Sequence, residues 1–146
     1  MFSSTIIYDY DSDENGIFDR SETETVEEMA FSNLQNYNYF IYLANGNREI
    51  EIEKVDNFAV EKVEEKVRYI FFVPFKAKAA NRTTEIKIGV FDNTYFCDVI
   101  YVEENPVTII GNASIESSFR LVEDAENAYW GEQIIPKVIL LQFKKK

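Results

Sequence analysis

Histidine is absent from this 146-residue chain, cysteine occurs once, proline three times and glycine five times. Without histidine there is no imidazole base, no Ser-His-Asp or Cys-His nucleophile system, and none of the commonest zinc ligand. The single cysteine, Cys97, has no intramolecular partner, so cysteine gives no evidence for an oxidising compartment and excludes none. No stretch approaches the roughly 20 apolar residues that cross a bilayer. The richest runs, residues 69–75 and 138–143, are strand-length. A Gly-rich phosphate loop is missing too. Basic residues are in deficit, 15 against 26 acidic, for a net charge of −11. Such a surface repels phosphate backbones, which argues against a nucleic-acid partner, and attracts cations.

What the chain does contain is apolar and aromatic mass. Hydrophobic residues make up 46% and aromatics 15%, with twelve Phe and nine Tyr. That offsets the ordering entropy of a folded chain, and the aromatic content leans toward β structure. Length predicts one domain, residues 1–146.

The opening residues read as helix–loop–helix. Phe2, Ile6, Ile7 and Tyr10 recur at helical spacing, and a polar turn follows from Asp11 to Gly16. Ser21 is the expected N-cap of a second helix, with Glu22 and Glu24 in its first turn, where negative charge suits the helix dipole. Val26, Ala30, Leu34 and Tyr37 mark one face of that helix to about Asn38. Residues 1–38 are therefore expected to form an EF-hand-like helical unit, and residues 39–146 a β-rich part.

From Tyr39 the apolar period drops to two. Residues 40–44 and 48–54 flank Asn45-Gly46, a hairpin signal. Residues 58–62 and 67–75 predict a second hairpin whose later strand is buried on both faces, with Pro74 placing a break or a sheet edge near its end. Residues 84–91 and 95–102 flank a turn at Asp92-Asn93-Thr94. Residues 107–110, 114–122 and 137–143 complete the expected strands, and Lys144, Lys145 and Lys146 read as a solvated tail. The expected fold class is α+β, the helical unit packed on a mostly antiparallel sheet or sandwich.

The loop at Asp11–Glu22 carries the chemistry. Its pattern is D-x-[DN]-x-[DN]-G-x5-E, with Asp11 first, Asp13 third, Asn15 fifth, Gly16 sixth and Glu22 twelfth. Alternate side-chain oxygens from Asp11, Asp13 and Asn15 converge as the chain curls round an ion. Gly16 permits the left-handed turn. Ile17 offers its carbonyl, Asp19 binds directly or through water, and Glu22 closes the shell with two oxygens. Phe18 stands where an apolar residue faces inward. An all-oxygen set with a bidentate glutamate favours Ca2+ over Mg2+. The alternative is an acidic surface turn that happens to fit the pattern. A second cation site at Asp92, Tyr95 and Asp98 has a rival reading too, a turn aspartate beside a solvent-facing one. Cys97 reads as a small core residue.

Three stretches resemble a family of uncharacterised periplasmic proteins described as components of ABC-type transport systems. They are the opening Met1-Phe2-Ser3-Ser4, the acidic loop with its Glu-rich helix and Tyr37-Asn38-Tyr39-Phe40, and residues 88–98. The last is similar to the family's Tyr-Asp-Pro-Thr-Tyr-x-x-Asp signature, with Asn93 replacing its proline. The resemblance implies an exported protein serving transport, with metal as one candidate cargo. It also implies a natural chain that begins earlier, with an export signal, a His-Pro-His-type segment and further strands ahead of Phe2. Losing those strands would leave a sheet edge open to homo-oligomer pairing.

The leading expectation is thus a non-enzymatic, calcium-binding accessory or ligand-binding protein, periplasmic or extracellular, with a membrane transporter component as partner and calcium mainly structural. Its rivals are a calcium sensor that exposes an apolar surface and a hydrolase built on a carboxylate pair.

Overall fold

The computed structural model describes residues 2–146. Met1, and with it the expectation about the chain's start, lies outside the described residues. Helix α1 (Phe2–Tyr10) and helix α2 (Arg20–Met29) are followed by a run of 3-10 turns at Phe31–Phe40. Seven strands come next: β1 (Ile41–Asn45), β2 (Arg48–Glu49), β3 (Asp56–Val63), β4 (Lys66–Phe72), β5 (Thr84–Val90), β6 (Ile115–Glu123) and β7 (Lys137–Lys145). Every strand pair is antiparallel, and the class is α+β.

The chain forms two compact units. The first holds the residues up to Tyr39 together with Ile52–Pro74, so both helices share a unit with the β3–β4 hairpin. Its core centres on Phe31, 2% exposed, whose ring stacks on Phe58 and meets Tyr69 edge-on. Phe71 and Tyr39 close the cluster. Val26 on α2 is fully buried. The hairpin is fixed to α1 where the Val67 amide donates to Ser3 Oγ at 3.1 Å.

The second unit, Phe40–Glu51 with Phe75–Lys146, is a five-stranded sheet in the order β2-β1-β5-β7-β6. Leu43, Ala44, Ile86 and Val138 form its core. Lys87 on β5 bridges Asp124 at 3.0 Å and Glu126 at 3.1 Å. Strand β6 lies at the sheet edge.

Several expectations shift. Helix α2 stops at Met29, with Ala30 as its C-cap; 3-10 turns follow from Phe31, and Asn38, Tyr39 and Phe40 take positive φ and turn the chain away from a helical path. The first hairpin turns at Gly46-Asn47, one residue later than the Asn-Gly reading, since Asn45 pairs with Arg48. Gly46 supplies the positive φ of +59° there. Its second strand is only two residues long.

Strand β4 is half-buried on one face alone, through Val67, Tyr69 and Phe71; Ile70 and Phe72 are exposed. Residues 95–102 and 107–110 are not strands. The first departure has a clear cause: the Asp92 carboxylate captures the amides of Thr94, Phe96 and Cys97, which a ladder would need. Lys144 and Lys145 are not a loose tail but the end of β7, where Lys144 pairs with Glu116 at 3.3 Å. Cys97 is half-buried.

Candidate metal centre

The loop between α1 and α2 is shaped by its own side chains. The Asp11 amide closes the last turn of α1 by donating to the Ile7 carbonyl. Asp11 Oδ2 accepts from the Gly16 amide at 2.9 Å, curling the intervening residues into a ring. Glycine is required at that point, where φ is +79°. Asn15 bonds to Asp13 twice, its amide to Oδ1 at 3.2 Å and its Nδ2 to Oδ2 at 2.7 Å. Asn15 Oδ1 takes the Ile17 amide at 2.7 Å.

Asp19, not Ser21, caps α2. Its backbone is extended (φ −70°, ψ −178°) and its Oδ1 accepts from the Glu22 amide at 2.8 Å. Glu22 Oε2 answers by accepting from the Asp19 amide at 3.0 Å, a capping box. The D-x-x-E spacing of Asp19 and Glu22 was a signal for this box, two residues ahead of the expected cap. Glu22 Oε1 accepts from both the amide and the hydroxyl of Ser12, at 2.7 and 2.6 Å. These bonds, the Ser12 hydroxyl first and the Asp19 amide next, hold the Glu22 carboxyl below its ordinary pKa despite burial. Ser12 is a contributor that the ligand pattern did not single out.

The loop draws three carboxylates together. One oxygen each from Asp11, Asp13 and Glu22 lies within 4.8 Å of the others, the one such group among the described residues. Asp19 is tied to Glu22 as the helix cap and stands outside that trio. Asn15 is joined to Asp13, Ile17 is exposed, and Phe18 is half-buried.

Asp11 is 5% exposed, and its Oδ1 is buried with no hydrogen-bond partner. A buried carboxylate oxygen without a donor is costly, and most such atoms in folded proteins are satisfied. A hard divalent cation would satisfy it, and oxygen-only donors suit one. The residues therefore fit a calcium-type ion, held by Asp11, Asp13 and Glu22. The bound charge would offset the mutual repulsion of the three carboxylates.

Asp92 and Asp98 both lie near Tyr129, whose pKa is raised by burial first and then by their charges. Asp92 is 1% exposed and spends its carboxylate on the turn that follows it. Burial alone would raise its pKa; the Thr94 hydroxyl and the Cys97, Thr94 and Phe96 amides outweigh burial and depress it. Asp98 is exposed and lines a separate cavity with Tyr101, Tyr129 and Lys137. Tyr95 stacks on Trp130 at 4.9 Å.

The molecule is thus an α+β chain whose antiparallel strands accompany a helix–loop–helix segment with three clustered carboxylates. It belongs to the family described as "Protein of unknown function (DUF1007)", which matches residues 1–133. The match takes in the acidic loop and the Asp92 turn and stops short of β7. The chain is also similar to the "Uncharacterized 15.5 kDa protein in trpE 3'region" of Spirochaeta aurantia. The two are 26% identical over 131 residues, 90% of this chain and 93% of that one. No solved structure matches the chain.

Proposed function

We propose that this protein binds one calcium ion in an EF-hand-like loop, held first by the clustered Asp11, Asp13 and Glu22 and completed by Asn15, the Ile17 carbonyl and Asp19 as the ion draws them from their present hydrogen bonds, and that the ion is structural. The observation that carries this reading is Asp11, whose Oδ1 is buried and unpartnered and whose carboxylate clusters with two others. Helices α1 and α2 leave and re-enter the fold at the two ends of the loop, so an ion there ties both to one point. In this role the protein is a non-enzymatic accessory protein. The ABC-transport resemblance extends the proposal to an exported chain working beside a membrane transporter component. Among the described residues no helix is long and apolar enough to cross a membrane.

Calorimetric titration with Ca2+ and with Mg2+ tests the site. The expected result is one Ca2+ per chain, bound more tightly than Mg2+, at about 10⁻⁴ to 10⁻³ M if the protein works outside the cell. Asp11→Asn and Glu22→Gln should each weaken binding strongly. Absence of Ca2+ heat at millimolar metal refutes the site. A structural ion raises the melting temperature without exposing apolar surface; at about 1,000 times Kd it adds roughly 4 kcal/mol. A calcium-induced rise in apolar-dye fluorescence would replace the structural role with that of a sensor.

A further inference from the structure

Lys62 lies 46 positions beyond Gly16 in the sequence, yet stands against the loop. A Cβ placed on Gly16 would sit 3.8 Å from Lys62 Cδ and 3.9 Å from its Nζ. The position is fixed by the fold. Lys62 is on β3, and its register partner on β4 is Val67. Val67 is the residue whose amide is bonded to Ser3 of α1. The end of the hairpin is thereby pinned to the helix that leads into the loop. Lys62 is half-buried and lines a cavity of about 260 Å3 with Asp11, Glu14 and Glu65, and it is the one cationic side chain in that lining.

We propose that Lys62 sets the affinity of the acidic loop, its ammonium acting as a tethered counter-charge that an incoming metal ion must tolerate. The inference rests on the calcium reading of the loop and deepens it. When the metal is absent, a fixed positive charge beside Asp11 and Glu14 relieves repulsion among the carboxylates. With metal bound, the same half-buried charge shares the cavity lined by Asp11 with a divalent cation. The attraction of the ammonium to the carboxylates is present with or without the ion, whereas its repulsion of the ion exists only in the loaded loop, so it weakens binding. A site tuned this way is filled where calcium is abundant and left empty where it is scarce.

Lys62→Met keeps an aliphatic side chain over Gly16 and removes the charge; Lys62→Arg keeps the charge. By Coulomb's law the expected change for Lys62→Met is a roughly fivefold tighter Ca2+ affinity. The penalty scales with the charge of the ion, so a trivalent lanthanide such as Tb3+ should tighten by about tenfold in the same variant. Lys62→Arg should stay within about twofold of the parent for both ions. Melting in chelator should show Lys62→Met less stable than the parent, while the two converge or reverse in saturating Ca2+. A purely structural role for Lys62 would instead lower both melting temperatures together and leave the Ca2+ and Tb3+ ratios equal, and that result overturns the inference. Unchanged affinity in Lys62→Met overturns it as well. If the parent chain takes up neither ion, it is the calcium reading itself that fails.

Discussion

Replacing Phe31 with alanine probes the packing that holds α2, and with it Glu22, in place. The ring is 2% exposed and, among the described residues, touches four other aromatic rings. It stacks on Phe58 at 4.3 Å, lies against Phe71 at 5.0 Å and Tyr39 at 5.4 Å, and meets Tyr69 at 5.5 Å. Phe58 belongs to β3 and Tyr69 and Phe71 to β4; Tyr69 is paired with Val60 in the ladder, and Phe58 and Phe71 lie at the bulge between ladder pairs, so the strands on either side limit collapse into the space. Truncating a buried Phe costs about 3–5 kcal/mol, and this site belongs at the upper end. The melting temperature should fall by roughly 10 °C or more. Met29→Ala, two residues earlier and 62% exposed, is the control and should stay within about 0.5 kcal/mol. Urea unfolding followed by far-UV circular dichroism reads both, and calcium titration of the Phe31 variant should show weakened binding. A cost below about 1 kcal/mol for Phe31→Ala would refute the claim that this cluster is the core of the helical unit.

Two further outcomes follow from the sheet unit. Gly89→Ala would set a Cβ 2.7 Å from the Phe91 ring and 3.2 Å from Val138, forcing Phe91 off its stack with Tyr129; a loss of about 1–3 kcal/mol is expected on thermal melting. Asp92 and Asp124 both have depressed folded pKa values: burial opposes the shift, but hydrogen bonds from Thr94 at Asp92, and from Asn127 and Lys87 at Asp124, prevail. Their stabilisation is therefore complete above the unfolded carboxylate value of about 3.9 and lost as pH falls through the folded values. Stability measured from pH 7 downward should hold until about pH 4 and then drop, with the drop reduced in Asp92→Asn. A flat profile down to about pH 2 would contradict it.

What could be read from the sequence was what is encoded locally. The acidic loop was legible because its ring needs donors at alternate positions and a glycine at one left-handed point, both visible within twelve residues. Hairpin β3–β4 was legible from alternation across a short polar turn. The errors arose where two local signals competed. Ser21 and Asp19 are both good caps, and only the reciprocal bond with Glu22 decides for Asp19. Tyr95, Cys97 and Val99 alternate as a strand would, but one upstream carboxylate withdraws the needed amides. Other features were beyond reach, because they depend on register between distant segments. Lys62 meets Gly16 only after β3 pairs with β4 and β4 binds α1, and Phe31 finds its partners the same way.

Asp11 and Asp92 show how structure separates residues that composition treats alike. Each is a buried aspartate opening a polar turn, and each draws a downstream amide back onto its carboxylate. A carboxylate offers about four acceptor positions. At Asp92 they are all engaged: Oδ1 takes the Thr94 amide at 2.9 Å and its hydroxyl at 2.6 Å, and Oδ2 takes the Phe96 and Cys97 amides at 3.1 and 2.9 Å. A cation there would have to break bonds already made. At Asp11 one oxygen takes the Gly16 amide and the other takes nothing. The carboxylate that holds this unspent capacity clusters with those of Asp13 and Glu22, whose charges a divalent ion would also offset. The same side chain is therefore a fully bonded turn at position 92 and one with unspent acceptor capacity at 11. The difference lies in how many backbone amides the following residues can deliver: three after Asp92, one after Asp11.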